Sequence, residues 1–351
     1  MMLFAKDLSR DVAVVAEIGV NHEGDVLVAE QLVRDCAAAG SDAVKFQSYT
    51  PERYASASDP ARLARVTKFA LSVDDHRRLA AVAAESGISF FSTPLSEDWV
   101  PLLAELSPAI KIASGDLTFE PVVRAAARTG KPVVLSTGLG TVDEIDRAVS
   151  WVADEVLARG DGATLADRLV LLHCVVAYPT PIEETNLATI GWLRDRYRVE
   201  VGWSNHVIGT DACVAALALG ASVLEVHVTD RRGEREFRDH AMSFLPAELA
   251  ALVELAPKVR AAVGVRDKVI AASEAGNRLA VRKGVVAARD LEAGTVLQQD
   301  DLMYARPATE FAAGSIGDVV GRTLSQSLGR GEMIGAAVLT VDVSEQRTGA
   351  A

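Results

Sequence analysis

Short apolar runs rich in β-branched residues alternate with longer segments of helical periodicity along the first three quarters of the chain. Eight such runs can be counted, and they lie at Val12–Val20, Ala43–Ser48, Ile88–Pro94, Ala109–Gly115, Pro132–Thr137, Leu169–Val176, Glu200–His206 and Ser222–Thr229. Strands that are apolar throughout and are each followed by a helix are typical of a parallel sheet covered by helices. Eight repeats of this unit predict an α/β fold of the closed (β/α)₈ type, a TIM barrel.

Glycine marks the ends of the predicted helices. Gly40, Gly87, Gly130 and Gly220 each follow a helical segment at the position where a left-handed residue closes the last turn. The alternative fold is an open, doubly wound sheet. The turn after the first run, EIGVNHEGD, lacks the GxGxxG pattern of a dinucleotide site, and polar residues cluster at the ends of nearly all runs. Both observations favour the barrel.

The pattern changes after the helical segment AELAALVELAPKVRAAVG. From about residue 280 the chain consists of short apolar pieces separated by turn residues, which predicts a small β-rich domain. We therefore expect a barrel over residues 1–264, a charged linker over 265–279, the β-rich domain over 280–343 and a flexible tail over 344–351.

Charge and composition exclude several classes of partner. The 351 residues carry a net charge of −12, and only 5% are aromatic, so the chain should neither attract nucleic acid nor bind an anionic membrane. The N-terminus lacks a signal-peptide core, and the longest apolar tract, Ala212–Gly220, is far shorter than a membrane span. Cys36, Cys174 and Cys213 form no CxxC motif and are expected to be reduced core thiols. We expect a cytoplasmic protein.

Polar residues follow nearly every predicted strand, at the end of a barrel that usually carries the active site. They are Glu17, Asn21, His22, Lys45, Gln47, Ser92, Thr93, Lys111, Ser114, Asp116, Ser136, Thr137, His173, Tyr178, Ser204, Asn205, His206, Glu225 and His227. A scaffold without chemistry would not need so many polar groups at one end.

Two lysines stand within apolar strands, Lys45 in AVKFQS and Lys111 in AIKIASG. A buried ammonium is costly unless an anion lies nearby, so each lysine requires a negative partner. One interpretation is a structural network with Glu17, Asp116 or Glu225. The other is a substrate that carries both a phosphate and a carboxylate, which fits two lysines on separate strand ends better.

Two histidines end the last two predicted strands, which are neighbours in a barrel. A single histidine at a strand end is more often a hydrogen-bonded core residue, but His206 and His227 together are candidate ligands of a divalent metal. Asp239, in the following FRDHAMS segment, could reach the same mouth or could instead cap a helix.

The motifs that contain these residues resemble those of the sialic acid synthases, the family that makes N-acetylneuraminate and the related legionaminic and pseudaminic acids. The matching segments, in order, are AEIGVNHEGD, AVKFQS, FFSTPLS, IKIASGD, VVLSTGLG, LLHCVVAYPTP, VGWSNH and EVHVTD. The C-terminal segments DLEAGTVLQQDDL and YARP are similar to the antifreeze-like (β-clip) domain of the same family. The resemblance extends over nearly the whole chain.

This resemblance implies a transferase that joins C3 of phosphoenolpyruvate to the aldehyde of an open-chain aldose, usually an N-acylmannosamine. Water then adds at C2 and phosphate leaves, which yields a 3-deoxy-2-ulosonic acid. It also implies that His206 and His227 hold Mn²⁺ or Mg²⁺, with Co²⁺ as a further candidate. The residues that would bind phosphoenolpyruvate are Thr93, Lys111, Ser114, Ser136 and Ser204.

The resemblance assigns a second group of residues to the sugar and to the chemistry. Gln47 and Asp239 would bind the sugar, and the catalytic groups would be Glu17, Lys45, Asp116 and Tyr178. Arg306 matches an arginine that reaches into a partner subunit's barrel and contacts the acyl group of the sugar. A domain-swapped homodimer follows from that match.

The chain departs from the family pattern at three points. Asp116 stands in place of a glutamate, Val176 in place of an asparagine, and RPATE follows the tyrosine and alanine where the family has RPGxG. These departures leave open a different aldose, or a sugar phosphate, as acceptor. Two further alternatives are a Schiff-base aldolase that uses Lys45 or Lys111, and a barrel that binds a sugar or phosphate without catalysis.

Overall fold

The structure is a computed structural model that describes residues 1–265, 267–308 and 310–340. The chain divides into two compact units, Met1–Gly264 and Val265–Ala351. Within the described residues, no helix combines the length and the apolar character needed to cross a membrane.

The first unit is a barrel of eight parallel strands. In chain order they are β1 Ala13–Gly19, β2 Ala43–Ser48, β3 Ser89–Pro94, β4 Ile110–Ile112, β5 Val133–Ser136, β6 Leu169–His173, β7 Glu200–Asn205 and β8 Val223–His227. Each strand is hydrogen-bonded to its neighbour in sequence, and β8 pairs with β1. Within the described residues the ladder is interrupted only between β3 and β4, which makes the barrel nearly closed.

Ten helices belong to this unit, and most of them cover the outside of the barrel. They are α1 Val26–Ala38, α2 Pro51–Tyr54, α3 Pro60–Phe69, α4 Val73–Glu85, α5 Val100–Leu106, α6 Glu120–Arg128, α7 Val142–Arg159, α8 Thr189–Tyr197, α9 Asp211–Ala218 and α10 Pro246–Val263. Capping boxes start α4 and α7, where Ser72 and Thr141 exchange hydrogen bonds with the third helical residue. The four predicted stop glycines all have positive φ, from 73° to 95°.

The apolar core has two layers, and their arrangement positions the polar site. One layer lies between the strands and the helices, and a second fills the lower interior of the barrel. Leu3, Phe4 and Leu8, from the segment that contains the N-terminal hairpin Met2–Leu3/Lys6–Asp7, pack against that lower layer and close the barrel floor. Alternate residues of a strand face the same side, so the inward-facing residues can be followed along each strand. They are apolar at the floor and become more polar towards the C-terminal end.

The inward positions of β1 and β8 illustrate this change. Ala13 and Val15 belong to the apolar floor, and the next inward residue of β1 is Glu17. On β8 the floor residue Val223 is followed two residues later by Glu225 and then by His227. The polar cavity is therefore built on an apolar base.

Most predicted strand ends differ from the observed ones by one or two residues, and the larger errors lie at the rim of the barrel. The run Ala109–Gly115 contains only the short strand β4, because Ser114–Asp116 forms a 3₁₀ turn stabilised by the hydrogen bond from Asp116 N to Ala113 O. The run Leu169–Val176 ends as a strand at His173. The backbone turns into the loops at these points, and the side chains there gain access to the cavity.

The described residues of the second unit form two short helices, α11 Ala272–Ala275 and α12 Arg278–Val281, and one antiparallel strand pair, β9 Gly284–Ala287 with β10 Leu302–Ala305. Isolated bridges and 3₁₀ turns complete it around a small core that includes Val285, Leu297, Leu324 and Ile334. The predicted linker 265–279 therefore contains helical turns. The predicted tail, 344–351, lies outside the described residues.

Candidate active site

A cavity of about 470 Å³ opens at the C-terminal ends of the strands, and it gathers the barrel side chains to which the sequence analysis assigned a catalytic, binding or metal role. The predicted residues that line it are Glu17, Lys45, Gln47, Thr93, Lys111, Ser114, Asp116, Ser136, Tyr178, Ser204, His206, His227 and Asp239. Arg306 is the one predicted residue outside this set, and it is an exposed residue of the second unit. The roles assigned to these residues stay predictions.

Lys45 is neutralised by the protein itself. Its Nζ lies 3.1 Å from Glu17 Oε2 and 3.4 Å from Glu225 Oε1, and all three side chains are buried. The strands that carry them, β2, β1 and β8, are neighbours in the barrel, which explains why the three groups meet. The interpretation of a structural ion-pair network therefore applies to this lysine.

Lys111 has a different environment. Its Nζ donates hydrogen bonds to Ser136 Oγ at 2.5 Å and to the carbonyl oxygen of Ile112 at 3.0 Å. Within the described residues, no carboxylate lies within 4.0 Å of it, and burial lowers the pKa of the ammonium despite the field of Glu225. Lys111 is therefore a buried cation held by neutral groups, which is the arrangement that favours a bound anion.

The two carboxylates beside Lys45 differ in their protonation. Burial raises the pKa of Glu17 to about 7, although Lys45 opposes the shift. Burial acts on Glu225 in the same direction, but Lys111, Lys45 and the hydrogen bond from Ser204 Oγ at 2.9 Å outweigh it and lower its pKa to about 2. Two carboxylates around one ammonium thus leave Glu225 charged and allow Glu17 to exchange a proton near neutral pH.

A bend at the end of β1 makes room for Glu17. The ladder between β1 and β2 shifts register between Glu17 and Gly19, and Gly19 has a φ of 55°. A Cβ atom at this glycine would lie 2.9 Å from Glu17 Oε1. Glycine is therefore required here for two reasons, its left-handed backbone and its lack of a side chain.

His206 and His227 lie side by side at the ends of β7 and β8, with ring centroids 5.4 Å apart. Burial lowers the pKa of both imidazoles, so both are neutral at pH 7. His206 Nδ1 lies 2.6 Å from the carbonyl oxygen of Val175. Since a carbonyl only accepts, Nδ1 carries the proton and Nε2 keeps the lone pair that a metal ligand needs.

The side chains around the two imidazoles fit an open metal site. Asp239 Oδ2 lies 3.9 Å from His227 Nδ1, and the buried Glu225 Oε2 has no hydrogen-bond partner in the part of the chain that the structure describes. Within the described residues, however, no cluster of three or more His, Cys, Asp or Glu side chains is arranged to hold an ion. Two nitrogen donors with vacant positions are what a catalytic site offers, whereas a structural site is closed by protein ligands.

Tyr178 and Asp239 occupy the wall next to the imidazoles. The ring centroids of Tyr178 and His206 lie 4.2 Å apart. The Arg238 guanidinium also contacts the Tyr178 ring, at 5.0 Å from its centroid. Asp239 belongs to the 3₁₀ turn Arg238–Ala241 and does not cap a helix. Burial raises the pKa of its carboxyl to about 6, and Arg238 opposes the shift.

The wall near Lys111 contains two of the departures from the family pattern. Burial raises the pKa of Asp116 to about 6, with Lys111 opposing. Ser114 Oγ accepts a hydrogen bond from Gly138 N at 3.1 Å and lies 3.1 Å from Cys174 Sγ. A Cβ atom at Gly138 would meet Val176 Cγ2 at 2.7 Å, so this glycine permits the close packing of Val176. All three cysteines are free and buried, as expected, but Cys174 also lines the cavity.

Other polar residues at the strand ends are structural. Ser92 Oγ and His76 Nε2 each lie 2.7 Å from Ser48 Oγ, which forms a buried chain between the sheet and α4. His173 Nε2 donates to the carbonyl oxygen of Thr185 at 2.8 Å. The sequence pattern could not distinguish these residues from those that face the cavity.

Three polar cavity residues escaped the sequence analysis, and they lie in the segment between β2 and α4 that contains α2 and α3. Arg53, Tyr54 and Arg62 all line the cavity. Arg53 is paired with Glu97 and Asp98, each at 2.7 Å. The Arg62 guanidinium lies 5.3 Å from the centroid of the Tyr54 ring, and within the described residues no carboxylate lies within 4.0 Å of it. The spacing of the arginines in the PERYASASDPARLAR segment does not indicate a binding site.

Comparison with known proteins gives a consistent result over both units. A sequence model of the NeuB family matches residues 32–268, and a model of the SAF domain matches residues 282–340. The chain is 33% identical to the N,N'-diacetyllegionaminic acid synthase of Campylobacter jejuni, over 92% of this chain and 98% of that one. It is also 33% identical to the N-acetylneuraminate-9-phosphate synthase of Mus musculus, over 82% of this chain and 81% of that one.

A solved structure supports the fold. The N-acetylneuraminic acid synthetase of Leptospira borgpetersenii superimposes with a TM-score of 0.71 at 30% identity, over 76% of this chain and 90% of that one. The predicted (β/α)₈ barrel with a C-terminal antifreeze-like domain is confirmed by these matches and by the eight-stranded sheet.

Proposed function

This chain belongs to the NeuB family, and from that premise we propose that it is a transferase that condenses phosphoenolpyruvate with an open-chain aldose. The product is a 3-deoxy-2-ulosonic acid of the sialic type, and phosphate is released. Relatives that match over most of their length are named as synthases of N,N'-diacetyllegionaminic acid and of N-acetylneuraminate 9-phosphate.

The observation that carries the proposal is the position of Lys111 in the same cavity as the two imidazoles. A buried ammonium whose only hydrogen-bond acceptors are neutral requires an anionic ligand. Phosphoenolpyruvate supplies both a phosphate and a carboxylate. Ser136 already contacts Lys111, and the other predicted donors, Thr93, Ser114 and Ser204, line the same cavity.

In the proposed reaction, C3 of phosphoenolpyruvate forms a bond to the aldehyde carbon, and the aldehyde oxygen takes up a proton. Water adds to C2 and loses one proton. As the bond from C2 to the phosphate oxygen then breaks, the new C2 hydroxyl becomes the ketone and its proton passes to the departing phosphate. Glu17 is suited to proton exchange at the aldehyde, since its pKa of about 7 lies near working pH. Asp116, with a pKa of about 6, is the candidate acceptor of the proton from water.

We propose His206 and His227 as ligands of Mn²⁺ or Mg²⁺, with Co²⁺ as a further candidate. Such an ion would supply Lewis-acid polarisation of the aldehyde. The support from this chain is the pair of neutral, adjacent imidazoles, of which His206 has its Nδ1 proton engaged by the Val175 carbonyl. Second-shell acceptors of this kind fix the tautomer of a metal-ligating histidine.

A specific alternative for the acceptor substrate of this chain is an aldose that carries an anionic group. Arg62 lines the cavity without a carboxylate partner within 4.0 Å among the described residues, unlike Arg53. Arginine binds phosphate in a bidentate manner, so a sugar phosphate would use this residue. For a sugar phosphate, Arg62→Ala should raise KM roughly 10- to 100-fold and leave a neutral aldose unaffected.

Arg306 supports a second proposal, which concerns assembly. We propose that the second unit reaches the barrel of a partner subunit and that Arg306 contacts the acyl or equivalent substituent of the sugar there. The motif match and the exposed position of Arg306 support this domain-swapped homodimer.

The decisive experiment is a phosphate-release assay with phosphoenolpyruvate, Mn²⁺ and a panel of acceptors. The panel should contain N-acetylmannosamine, mannose, the diacetamido sugars of the legionaminic and pseudaminic routes, and sugar phosphates. Metal-dependent release of phosphate with one of them is the expected result. Borohydride trapping of a lysine adduct without metal would identify a Schiff-base aldolase, and binding of phosphoenolpyruvate without turnover of any aldose would identify a non-catalytic barrel.

A further inference from the structure

Glu23 lies outside the cavity lining, in the loop between β1 and α1, yet its contacts lead to the loop that carries Asp239. Its Oε1 accepts hydrogen bonds from the backbone N–H groups of Glu236 at 2.8 Å and Phe237 at 3.0 Å. Its Oε2 lies 3.4 Å from Arg235 Nη1. One carboxylate thus holds three consecutive residues of the β8–α10 loop.

The β8–α10 loop has other supports on this side as well, namely the Lys68–Glu236 ion pair at 3.0 Å and the edge-to-face contact of Phe237 with Phe69. Arg235 also binds the Asp230 carboxylate, at 2.5 Å, within the same loop. His240 Nε2 lies 3.5 Å from Glu23 Oε1, so Glu23 contacts the residue that follows Asp239 as well. Glu23 therefore contacts the residue that precedes the 3₁₀ turn Arg238–Ala241 and also a residue within that turn.

A second contact from the β1–α1 loop supports the other side of Asp239. Asn21 Nδ2 donates to Ser243 Oγ at 2.9 Å and to the carbonyl oxygen of Val228 at 2.8 Å. Ser243 Oγ in turn donates to the carbonyl oxygen of Asp239 at 2.7 Å. The backbone of Asp239 is thus fixed through Ser243 from the same loop that carries Glu23.

The backbone at Glu23 has an unusual conformation that supports its contact with the β8–α10 loop. Glu23 has a φ of 50°, and the following Gly24 has a φ of 88°. A Cβ atom at Gly24 would lie 2.2 Å from the carbonyl oxygen of Lys68, so the turn is packed tightly against the end of α3. A left-handed non-glycine residue has a conformational cost, and such positions persist where the surroundings impose them.

We propose that Glu23 is a positioning residue for the acceptor site, which acts by holding the β8–α10 loop so that Asp239 faces the cavity beside His227. The inference rests on the proposed function in one respect, the assignment of Asp239 to the sugar. Glu23 itself touches neither substrate. Its removal should therefore affect the acceptor and leave phosphoenolpyruvate, which is assigned to Lys111 and the serines, unaffected.

The test compares Glu23→Ala, Glu23→Gln, Asp239→Ala and the double variant Glu23→Ala/Asp239→Ala in steady-state kinetics. Glu23→Ala should lower kcat/KM for the acceptor roughly tenfold or more and change the KM for phosphoenolpyruvate less than about twofold. Glu23→Gln should retain most activity, because one amide oxygen can accept both backbone hydrogen bonds. In the Asp239→Ala background, Glu23→Ala should have almost no further effect.

The matched control is Asp146→Ala. The Asp146 carboxylate also accepts several hydrogen bonds, from Arg196 and from Tyr197, but these residues lie away from the cavity. The control should lower thermal stability without any selective change in the acceptor KM. Effects of Glu23→Ala and Asp239→Ala that multiply in the double variant, or equal changes in both KM values, would overturn the inference.

Hydrogen exchange separates this inference from the proposed function. Glu23→Ala should increase amide exchange in residues 235–241, and Asp146→Ala should not. If the wild-type protein releases no phosphate with any aldose, the proposed function fails while the exchange result still decides whether Glu23 holds the loop. Unchanged exchange in residues 235–241 of Glu23→Ala overturns the inference whatever the enzyme does.

Discussion

Replacing each buried lysine by methionine should separate a lysine that the protein neutralises from one that it leaves for an anion. Lys45 lies between Glu17 and Glu225, whereas the hydrogen bonds of Lys111 among the described residues are to Ser136 and a carbonyl oxygen. Methionine has a similar length and adapts to irregular spaces, so both variants keep the volume of the side chain. The two changes therefore differ mainly in the charges that they leave behind.

The expected magnitudes follow from these contacts. Lys45→Met leaves two buried carboxylates without a cation, which costs about 3–5 kcal/mol of unfolding free energy, or roughly 6–20 °C in Tm. Lys111→Met loses two hydrogen bonds worth about 1 kcal/mol each, and the removal of a buried charge offsets much of that loss. Its unfolding free energy should stay within about 1 kcal/mol of wild type. Loss of a charge-assisted bond should weaken phosphoenolpyruvate binding roughly 10- to 150-fold.

The assay combines thermal unfolding of the protein without ligand with calorimetric titration of phosphoenolpyruvate. The defect of Lys45→Met should be larger at pH 8 than at pH 5, because Glu17 relieves the repulsion by holding a proton at lower pH. If Lys111→Met unfolds as early as Lys45→Met, then Lys111 is neutralised within the protein and our reasoning is wrong. Unchanged affinity for phosphoenolpyruvate in Lys111→Met would equally refute it.

Three other results are expected. His206→Ala or His227→Ala should abolish turnover and reduce the bound Mn²⁺ measured by metal analysis; wild-type metal content in either variant contradicts the ligand assignment. The contribution of Asp116 to stability should fall as the pH rises from about 4 to 6, because folded Asp116 keeps its proton up to a pKa of about 6 whereas the unfolded residue loses it near 3.8. In chemical denaturation, the unfolding free energy of Asp116→Asn relative to wild type should therefore increase over this pH range. Arg306→Ala should raise the acceptor KM with little effect on unfolding, and a change in unfolding alone would make Arg306 structural.

The barrel could be predicted from the sequence because its signal is repeated eight times. Each observed strand lies within a predicted run, since apolar content over several residues is set by burial on both faces of the sheet. The C-terminal ends of the strands could be predicted less accurately. At Ser114 and beyond His173, the backbone leaves the sheet because of local hydrogen bonds, such as that from Asp116 N to Ala113 O, which residue type alone does not determine.

The candidate site could be predicted where strands carry it and not where loops do. Alternation along a strand identified Lys45 with Gln47, and adjacency of the last two strands identified His206 with His227. The partner of each lysine remained open, because it depends on which strand ends meet across the barrel. Arg62 and Glu23 were not identified at all, since their contacts depend on loop conformations, including the positive φ of Glu23.

The charge balance of the cavity explains how a chain with a net charge of −12 can offer a site to a highly charged anion. Four carboxyl groups line the cavity, but only Glu225 has a lowered pKa, and Lys45 compensates its charge. Burial raises the pKa values of Glu17 and Asp116 to about 7 and about 6, which reduces their negative charge near neutral pH. An entering anion would raise these pKa values further, so both carboxyl groups would take up protons when the anion binds. Lys111, which has no carboxylate within 4.0 Å among the described residues, then remains available to the anion, with Glu225 as the ionised carboxylate whose field acts on it most strongly.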